Sequence, residues 1–547
     1  LWVEQISHES WVRLFSVLQW QDEHLPIWLK VQHEMLEAME MLAVRVAALG
    51  IEAEVVRCLG ISARHTSPFV EQHMELRRVI EQAHERLNED KSLTELGDHL
   101  DVLLDQCTAQ IKRAHAQAKV QGISMALSVQ LIRLEQSINR MRTLLQLMGA
   151  LPVQDRSVAV VNFFRALVRE ENRKHSIADL WRGMTEKLAL RITEHASNTG
   201  EHYTAENRAD YWKMGRAALG GGAIIAFFAF IKTWLVALHL PPFWEATVFS
   251  LNYGMCFVVV HLLHCQVATK QPAMTAARIA SALESSNGQL RGLDKVVEMV
   301  IQVARTQFIA ITGNLVLAFA TAFGIAYGWS LVFGSPPLPP EKTELLLQQV
   351  NPVTSPALPH AALAGVALFF TGVVSGYYDN LCIYERIPAR IQKVIWLRKV
   401  LGVSRLERFA HYLEGNLGAI MGSLFLGLML GSWGFIGFLL GLPIDTTHFA
   451  FSSANLGFVI QAEGLALGWA VIAWGFFGVT LIGIGNLFVS FGLALYTAMK
   501  ARSIRNFQGG ALAKKLTLAF FKNPFVFIAP PKNQPLEQTE LQEKTQQ

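Results

Sequence analysis

A helix needs about 20 apolar residues to cross the hydrocarbon core of a bilayer. Six segments of this chain meet that requirement, at approximately 217 to 238, 243 to 267, 308 to 333, 360 to 378, 417 to 442 and 465 to 498. With no water in the bilayer core, every backbone N–H and C=O must be satisfied within the protein, so runs this long and apolar cross as helices. Composition agrees, because 51% hydrophobic and 17% charged residues over 547 positions is not the balance of an all-soluble chain. The last run is long enough that it must tilt, bend near Gly475, Gly478, Gly483 and Gly485, or project from the bilayer.

Loop charge sets the orientation, since Lys and Arg are retained on the cytoplasmic side. The loop 268 to 306 carries Lys270, Arg278, Arg291, Lys295 and Arg305, and the loop 379 to 416 carries Arg386, Arg390, Lys393, Arg398, Lys399, Arg405 and Arg408. Between them, His239 to Pro242, the proline-rich Ser335 to Pro359 and the Lys- and Arg-free stretch Pro443 to Gly464 read as external loops. The amino terminus and the tail with Lys500, Arg502, Arg505, Lys514, Lys515 and Lys522 then share the cytoplasmic side. The tail pattern of Leu512, Leu516, Phe520 and Phe521 among those lysines predicts an amphipathic interfacial helix that meets anionic lipid.

Residues 1 to 216 lack such apolar runs and form the expected first domain, followed by a membrane domain 217 to 498 and a basic tail 499 to 547. Apolar residues in the first domain recur at three and four, the period of amphipathic helices. One stripe is Leu36, Met39, Ala43 and Val46 within a helix over 27 to 49. A second is Leu93, Leu96, Leu100, Leu103 and Cys107, opened by the capping-box pair Ser92 and Glu95. A third is Leu131, Leu134, Ile138, Met141, Leu145 and Met148, and further helices are expected over 154 to 172 and 176 to 197. The fold class is therefore all-α: a cytoplasmic helical bundle followed by a six-helix polytopic membrane domain. Core packing is the first reading of the stripes, and binding of a second copy or another protein through 1 to 216 is the alternative.

This first part carries 26 Lys+Arg and 29 Asp+Glu, a net of −3, which is a poor electrostatic match for nucleic acid. Leu1 is not a methionine, and Leu1 to Trp20 lacks a signal-peptide pattern, so the expectation is that numbering begins inside a longer product. Cys58, Cys107, Cys256, Cys265 and Cys382 contain no C-x-x-C pair and read as reduced thiols. No cofactor is implied.

Three stretches carry a family resemblance: His261 to Thr275 (HLLHCQVATKQPAMT), Asp379 to Arg390 (DNLCIYERIPAR), and Asn416 to Asn455 with its GLPID and FSSAN strings. They resemble the bacterial inner-membrane family labelled site-specific recombinase, of the Gcr type. The resemblance spans most of the chain after about residue 200 and marks Lys270, Gln271, Pro272 and Thr275 as its motif loop. It implies an inner-membrane location and, by its label, recombination of DNA. Tyrosine-type strand exchange needs a nucleophilic Tyr among clustered Arg, His and Lys. The first domain offers only Tyr203 and Tyr211, beside Trp212 just before the first apolar run, where aromatic rings sit at headgroup level.

Polar groups inside a bilayer are functional candidates by default. His261 and His264 lie one turn apart, Lys232 lies near the outer end of the first run with its stem able to reach the headgroups, and Asn314 and Asn486 sit in repeated Gly-Asn-Leu tripeptides at 313 and 485, with a third at 415. A polar layer of His261, Asn314 and Asn486 joining the second, third and sixth runs is expected, giving transport or lipid handling as the first functional reading. A membrane-anchored scaffold is the alternative, and the recombinase of the family label is the other. Gly418, Gly422, Gly427 and Gly431 form a small-residue face that predicts close helix packing.

Overall fold

A computed structural model describes residues 2–17, 26–60, 67–88, 96–121, 125–150, 156–173, 207–268, 276, 279, 290–501 and 509–530. The described residues form helices and no strand, in two compact units, Leu1–Gly183 and Met184–Gln547. The expected helix over 176 to 197, the capping pair Ser92 and Glu95, Leu93, and the motif-loop residues Lys270, Gln271, Pro272 and Thr275 lie outside the described residues.

The first unit is a bundle of α1 (Trp2–Gln5), α2 (His8–Val17), α3 (Pro26–Gly50), α4 (Ala53–Leu59), α5 (Pro68–Asn88), α6 (Asp98–Gln121), α7 (Met125–Met148) and α8 (Arg156–Arg173). Its stripes turn inward: Leu36, Met39, Ala43 and Val46 of α3 share one core with Leu131, Leu134, Ile138, Met141, Leu145 and Met148 of α7. Each of the larger side chains among them, fully buried, contributes about 1.5–3 kcal/mol. Burial pushes the Cys107 thiol up to about 12, marking a core group rather than a nucleophile.

In the second unit six helices are long and apolar enough to cross a membrane. These spans are Arg208–Val236, Pro242–Leu262, Leu290–Phe333, Ala357–Tyr384, Val403–Leu440 and Trp469–Ala501, called the first to sixth below. Large side chains such as Phe227, Val332 and Phe488 stand exposed on them, as a surface facing lipid requires. The third begins well before its apolar part, so much of the basic stretch before residue 307 is helix.

The stretch Pro443 to Gly464 departs from the expected external loop. It contains the helix Phe449–Glu463, whose residues from Phe449 to Val459 are nearly all buried. Fifteen residues make about 22 Å of helix, too short for a span, which is why length alone leaves it unrecognised. It lies along the third span, where Ser453 Oγ donates to Leu315 O at 2.8 Å and Gln461 Nε2 to Ser330 Oγ at 3.0 Å.

The glycine face of the fifth span is used twice. A Cβ on Gly418 or Gly422 would collide with Ser375 and its neighbours on the fourth span, and one on Gly427 or Gly431 would enter the backbone of Gly254 or Ser250 on the second. Both partners are in the same chain. Replacing Gly427 by Ala should therefore lower the detergent-solubilised melting temperature by several degrees, on the order of 2 kcal/mol or more. Gly324→Ala, where nothing lies within 4 Å of the new Cβ, should stay within about 0.5 kcal/mol. Equal effects in a thermal-unfolding assay would contradict this packing.

Candidate functional site

Two asparagines organise the membrane unit. Asn314, fully buried in the third span, accepts from Ala268 N through Oδ1 at 2.9 Å, and its Nδ2 donates to Ala218 O at 2.6 Å and Gln266 O at 2.9 Å. Asn486, fully buried in the sixth, accepts from Phe449 N at 3.1 Å and donates to Ala361 O at 2.8 Å and Thr447 O at 3.0 Å. Each amide spends one donor and its acceptor on the backbone of a stretch that follows a span, and the other donor on an alanine carbonyl inside a neighbouring helix. The need is local: after the second and fifth spans the chain turns through a left-handed residue, His264 (φ 54) and Gly441 (φ 64) respectively, and runs on without helix to the asparagine.

The two junctions correspond atom by atom. Gln266 N donates to Ala217 O at 3.0 Å, as Thr447 N does to His360 O at 3.3 Å. Ala217 and Ala218 thus match His360 and Ala361, and Gln266 and Ala268 match Thr447 and Phe449. A Cβ added at Gly313 would stand 3.0 Å from Ala218 Cβ, and one at Gly485 3.4 Å from Ala361 Cβ. Four residues beyond each alanine, Gly222 packs on Asn314 O and Gly365 on Asn486 O. Spans one to three are therefore repeated by spans four to six.

Three crossings per half means that successive halves enter from opposite faces, so the repeat is inverted. The central helices of the halves, the second and fifth spans, pack antiparallel through Gly254 and Gly427, as a two-fold axis in the membrane plane requires. The buried helix Phe449–Glu463 ties the junctions together: Phe449 N is held by Asn486, and Ser453, one turn on, holds the carbonyl of Leu315 next to Asn314.

The expected layer of His261, Asn314 and Asn486 is not assembled through side chains: each asparagine serves its own junction. His261 Nε2 instead meets Asn416 Oδ1 of the third Gly-Asn-Leu at 2.9 Å, while His264 is exposed at the end of the second span. Lys232 Nζ donates to Tyr253 Oη at 2.8 Å and lies 4.9 Å from the Phe249 ring centroid. Tyr253 in turn stacks edge-on against Phe451 of the buried helix, whose preceding residue His448 sits among Phe257, Phe449 and Phe451.

Sequence reasoning passed over Asp379. The fourth span continues through it to Tyr384, and its Oδ1 accepts from Gly418 N at 3.0 Å inside the helix contact. The signal was an acidic residue adjoining an apolar run and a glycine face. Lys232 and Asp379 stand 14 and 18 residues beyond Ala218 and Ala361 in their halves, one helical turn from exact correspondence. The inverted repeat thus puts a cation toward one face and a carboxylate toward the other.

Replacing Asn314 by Leu takes the amide partner from two backbone groups in the stretch after the second span, Ala268 N and Gln266 O, at about 1–3 kcal/mol each. Asn314→Leu and Asn486→Leu should each destabilise by roughly 3 kcal/mol or more and to a similar degree. Asn416→Leu, which removes a side-chain contact with His261, should cost less. Thermal unfolding in detergent checks the order, and a neutral Asn314→Leu would contradict the junction.

No curated protein and no solved structure gives a significant match to this chain. The family model described as site-specific recombinase matches residues 1–530, nearly the whole length, so the described helical bundle and the six spans fall within one family pattern. The chain belongs to the site-specific recombinase family.

Proposed function

We propose that the membrane unit is a transporter, or a lipid-handling protein of the same construction, working by alternating access between two inverted halves. The observation that carries this reading is the duplicated junction around Asn314 and Asn486. Inverted three-span repeats with helices interrupted inside the bilayer are the architecture of many secondary transporters, where one half rocks against the other. The interrupted stretches here follow the second and fifth spans, and two of the charged groups within spans, Lys232 and Asp379, lie on equivalent helices. Intramembrane charges of this kind mark ion and substrate pathways.

The face bearing Arg386, Arg390, Lys393, Arg398 and Lys399 is cytoplasmic on the positive-inside rule, in the inner membrane of a bacterium, with both termini on that side. The tail helix Gly509–Lys522 supports contact with anionic lipid there, since Leu518 and Phe521 are exposed beside Lys514 and Lys522. DNA strand exchange has less support. Tyr211 is buried at the start of the first span, where its Oη donates to Ile528 O at 2.8 Å, and Tyr203 lies outside the described residues.

Spin labels provide a test that needs no known substrate. On a Cys265→Ser background, one pair would replace Val332 and Leu439 at the far face and another Trp212 and Ile395 at the basic face, all exposed positions. Electron–electron distance measurements in nanodiscs should find two populations for each pair, the far face opening as the basic face closes. A single narrow distance at both faces, unmoved by pH or solutes, contradicts alternating access.

A further inference from the structure

The first unit contains a cleft of about 910 Å³ between α3, α7 and α8, within the size range of small-molecule sites. Arg45 of α3 and Arg133 and Arg140 of α7 line it, with Leu42 and Leu49 on its apolar side and Glu170 of α8 as its one carboxylate among the described residues. The sum of three cations and one anion is +2, in a domain whose sequence is net negative.

Pairing separates these arginines from their neighbours. Arg57 binds Glu54, Arg78 binds Glu75, and Arg142 bridges Asp101 and Asp105. Arg45, Arg133 and Arg140 have no ion-pair or side-chain hydrogen-bond partner among the described residues. Three like charges around one concavity repel each other, and among the described residues only Glu170 lines it as a carboxylate beside them. Helix periodicity makes the arrangement: 42, 45 and 49 share a face of α3, and 133, 136, 137 and 140 share a face of α7. Guanidinium forks match phosphate oxygens in pairs of hydrogen bonds, more closely than an ammonium would.

We propose that this cleft binds an organic polyphosphate, its phosphates held by Arg45, Arg133 and Arg140 and its apolar body seated against Leu42 and Leu49. A net charge of +2 calls for at least a dianion, and the apolar side distinguishes a nucleotide-like ligand from a bare inorganic anion. The site stands independently of the transport reading, because it lies wholly within the first unit.

Calorimetric titration of the full chain in nanodiscs tests it, with ATP and inorganic tripolyphosphate as probes. ATP should bind saturably with a Kd below about 1 mM, more tightly than tripolyphosphate, and less tightly as salt rises. R133Q/R140Q should weaken ATP by roughly tenfold or more with an unchanged melting temperature, since both side chains are exposed, whereas R78Q should leave binding intact. Absence of saturable ATP binding, or binding that survives R133Q/R140Q, overturns the proposal. Tripolyphosphate binding as tightly as ATP overturns the assignment of Leu42 and Leu49.

Discussion

Backbone that leaves a helix inside a bilayer has no water to bond with, and the membrane unit depends on how this chain answers that constraint twice. After the second and fifth spans the main chain runs on without helix into the packed interior, exposing N–H and C=O groups that would each cost several kcal/mol if left open in lipid. An asparagine amide suits the task because one side chain offers two donors and an acceptor within a few ångströms. Asn314 and Asn486 each use all three on backbone, and each sits between a glycine that lets a neighbouring helix approach and the alanine whose carbonyl it binds. Glycine and asparagine work as one unit in both places, since a bulkier neighbour would hold the alanine carbonyl out of reach.

From that interaction follows the symmetry. Because each junction closes a group of three crossings, repetition of the junction makes the second group an upside-down version of the first. The second and fifth spans then become the pair that meets across the axis, and the fifth span's glycines serve two partners along its length. The buried helix Phe449–Glu463 reaches from the Asn486 junction to the carbonyl beside Asn314. Two hydrogen bonds of this short internal helix, at Phe449 N and Ser453 Oγ, thus connect the neighbourhoods of the two asparagines.

The six spans and the stripes of the helical bundle were legible in the sequence, because apolar length and a 3.6-residue period are local properties. The repeated Gly-Asn-Leu was legible too, and it was the right signal with the wrong partners. Adjacency in depth suggested one layer, whereas the asparagines satisfy their own half's backbone, and His261 pairs with Asn416 of the remaining tripeptide. What made the repeat invisible is that its matching residues are separated by unequal insertions: 48 residues divide Ala218 from Gln266, and 86 divide Ala361 from Thr447. The helix Phe449–Glu463 escaped because a short segment without Lys or Arg between two spans has the composition of either a loop or a buried element. Asp379 escaped for a related reason, since a carboxylate at the edge of an apolar run has the composition of the adjoining loop, and its bond to Gly418 N places it inside a helix contact.

Hydrogen–deuterium exchange of the nanodisc-embedded protein, comparing wild type with Asn314→Leu, tests most directly whether the two junctions form one linked device. The account predicts faster exchange both in the altered half, around Gln266 and Ala268, and in the opposite half, at the start of the buried helix from Thr447 to Ser453. An increase confined to the first half, with the segment from Thr447 to Ser453 as protected as in wild type, would contradict it.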